Sequence, residues 1–177
     1  MKRLLTLSIM FFSQSLYASN CIKFGGKDYC EVWNKKDSDI LTVEFLSEEQ
    51  SLASWSTMIT VRKYQGKSAL KEVLPGYVNS VKPMFAMKPD VLQSKNSTAK
   101  EEVYFCMLLL APDKSHYEYV VNRFYRDNDT SVKSVFYSHR IPFSDQVNFN
   151  EVMDNRANWL KQLQDKKVEE YIAESIH

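Results

Sequence analysis

Apolar and polar residues alternate along much of the chain with a period of two, which is typical of half-buried β-strands. The clearest run covers residues 40–46, where Leu41, Val43 and Phe45 lie on one face and Thr42 and Glu44 lie on the other. A second run follows Trp55, with residues 59 and 61 apolar and residues 60 and 62 polar. We predict a strand in each segment, with one face buried and one face in water.

Three later segments also predict strands. Residues 103–110 are apolar on both alternating faces, which indicates a central strand covered on both sides. Residues 117–126 and 132–141 are separated by a short polar stretch. We predict that these two segments form an antiparallel pair.

Two segments repeat apolar residues every three or four positions, the period of an amphipathic helix. The first follows Ser68, a residue type that caps helices, and its apolar stripe runs from Leu70 to Phe85. Pro75 lacks a backbone donor, so we expect a kink or break there. The second helix begins near Asn148, and the tail to residue 177 is expected to extend it and then fray. Its apolar stripe consists of Phe149, Val152, Met153, Trp159, Leu160 and Leu163.

Cys21 and Cys30 are placed symmetrically about Gly25 and Gly26. Glycine readily adopts the positive φ that a two-residue hairpin turn needs. With that turn, Cys21 faces Cys30 in a non-hydrogen-bonded pair, whose close Cα atoms suit a disulfide. We predict this disulfide; two free thiols, or a bond to Cys106, are the alternatives. Cys106 lies in an apolar strand and is predicted to be a small buried residue.

The predicted elements follow the order hairpin, two strands, helix, three strands, helix. Two main helices flanking a mostly antiparallel sheet make an α+β fold, a layered α/β/α sandwich with an N-terminal β-hairpin. This order across residues 30–164 resembles the PsbP-like fold and the DcrB-like exported proteins. Segments 44–46, 54–61 and 70–85 carry the resemblance. It implies an exported binding or accessory protein without catalysis.

The first 18 residues match a cleaved secretory signal peptide. Lys2 and Arg3 give a positive start, residues 4–12 are apolar, and Ala18 is the small residue that signal peptidase prefers before its cut. We predict a mature chain that starts at Ser19 and resides in the periplasm, where a disulfide persists. Lipidation of Cys21 is the alternative, although Asn20 does not fit the small residue expected before a lipidated cysteine.

Composition narrows the classes of function. Residues 19–177 have the length of one globular domain. Loss of Lys2 and Arg3 leaves 21 of the 23 basic residues against 22 acidic ones, a net charge of −1. Nucleic-acid binding calls for a concentrated basic face, so we predict no nucleic-acid partner. No later stretch is apolar for the roughly 20 residues that a transmembrane helix needs.

No motif predicts catalysis, a metal or a cofactor. His116, His139 and His177 are the three histidines, and none has the spacing of a metal or hydrolase motif. Cys106 lies among apolar residues, whereas a catalytic thiol needs an electropositive, accessible setting.

Residues 117–126 and 132–141 carry the best interaction candidates. Tyr and Arg are enriched at protein interfaces. The alternative is that the tyrosines pack under a helix while the arginines face water. The predicted partner-binding residues are Arg123, Tyr125, Arg126, His139 and Arg140.

Three hypotheses for function follow. The first is an exported protein-binding module, of which an immunity protein that neutralises a secreted toxin is one form. The second is an envelope accessory protein that binds a small molecule or a lipid. The third is a hydrolase. A hydrolase of this size would normally contain a recognisable nucleophile or metal-binding motif.

Overall fold

The computed structural model describes residues 20–97, 100–128, 131–144 and 146–165. It contains eight strands and two α-helices in this described part. The strands are β1 Cys21–Phe24, β2 Lys27–Asp37, β3 Ile40–Ser47, β4 Thr57–Gln65, β5 Phe85–Ser97, β6 Lys100–Leu110, β7 His116–Asn128 and β8 Ser131–Pro142. The helices are α1 Leu74–Val81 and α2 Asn150–Leu163.

All eight strands form one antiparallel sheet in the order β1-β2-β3-β4-β8-β7-β6-β5. The predicted α/β/α sandwich with two main helices is therefore wrong. The sheet curls like half a barrel, and the helices are short, with 8 and 14 residues. Adjacent strands twist relative to one another, so a sheet this wide curls as the twist accumulates.

The N-terminal hairpin has the predicted register. Cys21 pairs with Cys30, and the two residues form a disulfide, which confirms the prediction. Gly25 and Gly26 both have positive φ, as the turn requires. A Cβ on Gly25 would also lie 3.2 Å from Oε1 of Gln162, so the turn fits closely against α2. Cys106 is free and buried, also as predicted.

Each face of the sheet has its own hydrophobic core. On one side, which we call the α2 face, Val152, Trp159 and Leu163 of α2 cover residues from β1 to β8. On the other side, the α1 face, Tyr77 and Val81 join a core under the α1 segment. β6 contributes alternating residues to both cores, so the prediction of a strand covered on both sides is confirmed.

The first predicted helix is much shorter than its apolar stripe. A 3₁₀ turn at Leu70–Glu72 precedes α1, and another at Lys82–Met84 follows it. Pro75 lies in the first turn of α1, where its missing N–H has no intrahelical partner to lose. The predicted helix is therefore broken just before Pro75, which lies at the start of α1 and does not kink it.

Two strands extend into segments where the sequence shows no clear alternation. β2 runs through the polar residues 34–36 and ends at Asp37. β5 was not predicted, because Pro89 and several polar residues interrupt the alternating pattern of a strand. It is an edge strand with three irregularities in its pairing to β6. No helix in the described part of the chain is long and apolar enough to cross a membrane. The predicted signal peptide and the helical tail beyond residue 165 lie outside the described residues.

Candidate functional site

The α1 segment covers only part of its face of the sheet. Beside it lies an open cleft of about 480 Å³. Its floor belongs to β3, β4, β8 and β7, and its walls belong to α1, the following 3₁₀ turn and the loop between β3 and β4. Ligand sites in proteins are concave and of about 300–1,000 Å³, so the cleft has the size of a binding site.

Strand register places polar and charged residues among apolar ones on the floor of this cleft. Glu44 pairs with Thr60, and Thr60 pairs with Phe136 on the next strand. Arg140 of β8 pairs with Glu118 of β7. Paired residues in an antiparallel sheet share a face, so even-numbered residues of all four strands project into the cleft.

The rim of the cleft is rich in large apolar side chains. Trp33 comes from β2, whereas Leu52 and Trp55 come from the loop between β3 and β4. Trp33 is 37% exposed and Leu52 is 43% exposed. Met84 and Val81 form the opposite rim. The cleft thus combines exposed aromatic and apolar side chains with a few charged and polar groups, and both are features of recognition sites.

Arg140 lies at one end of the cleft. Its guanidinium carbon lies 3.6 Å from the centroid of the Trp55 ring, a cation–π contact. Its Nε is buried and has no hydrogen-bond partner. Burial lowers the pKa of Arg140, whereas the charges of Glu118 and Asp113 oppose that shift. The side chain is thus partly desolvated without a hydrogen-bonded anion.

Arg62 has a similar setting farther along the cleft. Its guanidinium carbon lies 5.3 Å from the ring centroid of Phe136 and 5.9 Å from that of Tyr77. Its Nε is also buried without a partner. Arg62 lines a second cavity of about 510 Å³ as well, so it stands where the two cavities meet.

The carboxylates of the cleft do not neutralise these arginines by direct contact. Burial is the main cause that raises the pKa of Glu44, while Arg62 lowers it and Glu118 raises it further. Within the described residues, neither arginine forms an ion pair at 4.0 Å or less. Each guanidinium can therefore donate hydrogen bonds to an anionic group of a ligand.

The residues predicted to bind a partner do not lie on one surface. Arg140 faces the cleft on the α1 face, whereas His139 stacks on Trp159 of α2 with ring centroids 5.5 Å apart. Arg123 is 1% exposed and Tyr125 is 6% exposed, so neither can contact a partner directly. Arg126 is half-buried near the turn between β7 and β8. Of the predicted set, Arg140 alone lies in the cleft.

Arg123 has a structural role on the α2 face. Its Nε donates a 2.7 Å hydrogen bond to Oε1 of Glu102, and its Nη2 lies 2.6 Å from the same atom. The Tyr104 hydroxyl donates to that oxygen at 2.6 Å. The guanidinium also lies over the Tyr125 ring, 4.4 Å from its centroid. The arginine expected in water is instead the charged centre of a buried network.

The turn between β6 and β7 brings together Ser115 and His116. The Ser115 Oγ lies 2.8 Å from Nδ1 of His116 and donates to Asp113 at 2.7 Å. Asp113 also accepts the Ser115 N–H, and these bonds lower its pKa. In a catalytic triad the acid orients the histidine, whereas here it holds the serine. The arrangement stabilises the turn.

Cleft residues other than Arg140 were missed because they are far apart in the chain. Trp33, Glu44, Trp55, Arg62 and Glu118 come from four strands and a loop. Polar residues at alternate positions were interpreted as the solvent-exposed face of each strand. The pairing of β4 with β8 brings these strands side by side in the sheet.

In the described part of the chain, no group of three or more histidine, cysteine or acidic residues could hold a metal ion. No curated protein matches this chain. One family model matches residues 16–173, which is most of the sequence, and it belongs to a family without an assigned function. The chain is therefore a member of that family of unknown function.

Proposed function

We propose that this protein is an exported, non-catalytic protein-binding module that takes an acidic segment of its partner into the cleft on the α1 face. One observation carries the proposal. The guanidinium of Arg140 lies on Trp55 at the cleft wall, with a buried Nε that has no acceptor. A buried donor without an acceptor is costly, so a partner carboxylate that supplies one is favoured.

The rim supports a protein as the occupant. Trp33 and Trp55 are tryptophans at the edge of an open cleft, and Trp and Arg are the commonest hot-spot residues of protein interfaces. Leu52 adds exposed apolar surface beside them. An immunity protein that blocks a toxin is one form of such a module, and the predicted signal peptide suits a periplasmic partner.

The test is capture of a partner by the mature protein and by variants of the cleft. The bait is incubated with envelope extract and, separately, with the purified product of the adjacent gene. Trp55→Ala and Arg140→Ala should each weaken binding by about 30-fold or more, the loss typical of a hot spot. Arg156→Ala is the matched control, because Arg156 is a half-exposed arginine of α2 that lies outside the cleft and pairs with Asp90 at the surface.

Equal binding by the cleft variants and the parent protein would refute the proposed site. The same holds if Arg156→Ala weakens binding as much as Arg140→Ala does. Circular dichroism of each variant establishes that it is folded before binding is compared.

A second candidate is an envelope accessory protein that binds a small molecule or lipid in the same cleft. The volume of about 480 Å³ favours it, because a drug-sized ligand occupies such a space. Native mass spectrometry of the protein purified from the periplasm separates the two candidates. A bound small anion that Arg140→Ala loses would favour this second function.

A further inference from the structure

Within the described residues, the outer edge of β2 is unpaired over most of its length. β1 has only 4 residues and pairs with the first residues of β2, up to Cys30. The last hydrogen bond on this side joins the Glu31 N–H to the carbonyl of Asn20 at 2.9 Å. Beyond Glu31, no strand in the described part of the chain pairs with this side of β2.

Register identifies the backbone groups that point outward. Asp37 and Ile40 flank a two-residue turn, so they are a hydrogen-bonded pair. Pairs alternate along an antiparallel ladder, which makes Lys36–Leu41 and Asn34–Val43 non-hydrogen-bonded pairs. The N–H and C=O groups of Asn34 and Lys36 therefore face away from β3.

The opposite edge of the sheet is less suited to such pairing. β5 carries Pro89, which has no N–H to donate. Its pairing with β6 shifts register at three places. Proline and bulges are two of the devices that protect edge strands from pairing with other chains. Residues 34–37 of β2 contain no proline and no register shift.

Side chains on β2 indicate the chemistry of the occupant. Lys35 and Lys36 are exposed at the centre of the open edge. Lys35 pairs with Asp37 at 3.3 Å, and both side chains are exposed, so water screens this pair. A second copy paired there in antiparallel register would place lysine opposite lysine, which is unfavourable. Val32 and Trp33, which are 43% and 37% exposed, offer apolar cover beside the lysines.

We infer that the open edge of β2, residues 32–37, accepts an extended acidic segment of the partner protein as an added β-strand. The inference rests on the proposed function and adds the mode of recognition. The added strand pairs with the backbone of Asn34 and Lys36. Because Trp33 belongs both to this edge and to the rim of the cleft, the strand lies where its side chains reach the cleft. Backbone pairing supplies affinity, and the lysines select acidic side chains.

The test uses a defined probe, a synthetic eight-residue peptide of alternating glutamate and valine. Its control is the same peptide with lysine in place of glutamate. Hydrogen exchange of the mature protein should show slowed exchange at the amides of Asn34 and Lys36 with the glutamate peptide and not with the lysine peptide. Asn34→Pro removes an outward N–H, whereas Asn34→Ala keeps it. The proline variant should bind the peptide about threefold to tenfold more weakly than the alanine variant.

Three results would overturn the inference: equal binding of the two peptides, protection at β5 in place of β2, or self-association of the protein through β2. If Asn34→Pro does not fold, the exchange pattern of the parent protein and the pair Lys36→Pro and Lys36→Ala decide the matter. Loss of partner binding in Arg140→Ala, with full binding in Asn34→Pro, would refute the edge and leave the proposed function standing. Equal binding by every cleft variant would refute the proposed function itself.

Discussion

The guanidinium of Arg123 donates a 2.8 Å hydrogen bond to the main-chain carbonyl oxygen of Leu163, the last residue of α2. The final carbonyls of a helix have no intrahelical donor, and they form the negative end of its dipole. Arg123 satisfies one of them from the sheet below. The same side chain contacts Glu102, so a single arginine joins β7, β6 and α2.

This network makes Arg123 a determinant of stability. Arg123→Ala removes this cation from the buried Glu102 and should lower the free energy of unfolding by about 3–5 kcal/mol. Chemical denaturation of the purified protein measures the loss. The double variant Arg123→Met with Glu102→Met removes both charges and should lose less than Arg123→Ala. A loss below about 1 kcal/mol in Arg123→Ala would contradict the role of this ion pair.

The Cys21–Cys30 disulfide should stabilise the N-terminal hairpin formed by β1 and β2. Replacing both cysteines by alanine should lower the free energy of unfolding by roughly 2–3 kcal/mol, because the bond restricts a short loop in the unfolded chain. Non-reducing peptide mapping should find the bond and a free thiol at Cys106. Equal stability with and without a reducing agent would show that the bond contributes little.

Tyr77 should be the residue that secures α1 as a wall of the cleft. Its hydroxyl donates a 2.8 Å hydrogen bond to Oδ1 of the buried Asn122, and burial raises the pKa of this phenol. Tyr77→Phe should cost about 1–3 kcal/mol, since it leaves a buried acceptor without a donor. Tyr64→Phe is the control, because the Tyr64 hydroxyl is buried without a partner and its loss should cost nothing. Similar losses in both variants, measured by denaturation, would contradict this assignment.

His139 should make stability depend on pH. Burial lowers its pKa below 6.5, while Glu151 opposes the shift. Below pH 6.5 the unfolded chain binds the proton more readily than the folded protein does, so stability falls from pH 7 until the folded histidine is also protonated. His139→Phe keeps a ring on Trp159 and removes this titration. Its melting temperature should therefore change less between pH 7 and pH 5 than that of the parent protein. Parallel melting curves would count against the prediction.

Export predicts a defined N-terminus. Intact-mass measurement of periplasmic protein should show a chain that begins at Ser19, because Ala18 offers the small residue that signal peptidase needs. Retention of Met1 would contradict export by this route. A mass increase at Cys21 would instead indicate a lipid anchor, and that form could not contain the Cys21–Cys30 disulfide.

The N-terminal hairpin, its disulfide and most strands could be predicted because their signals are local. A glycine pair sets the turn, and a period of two marks a strand wherever one face is buried. The cleft could not be predicted in this way. Arg62 and Arg140 are 78 positions apart in the chain, and only the pairing of β4 with β8 brings their strands together.

The sequence by itself determined most of the strands, the buried β6, the disulfide and the helical segment of α2. Tertiary structure alone decided the curled sheet, the length of α1 and the fate of each charged residue. Arg123 and Arg140 illustrate the reason. Both occupy strands among tyrosines, and nothing local distinguishes them. Odd and even positions face opposite sides of the sheet, so α2 buries Arg123 while the short α1 leaves Arg140 at an open cleft. The exposure of a strand residue depends on what covers its face, and that cover is supplied by distant parts of the chain.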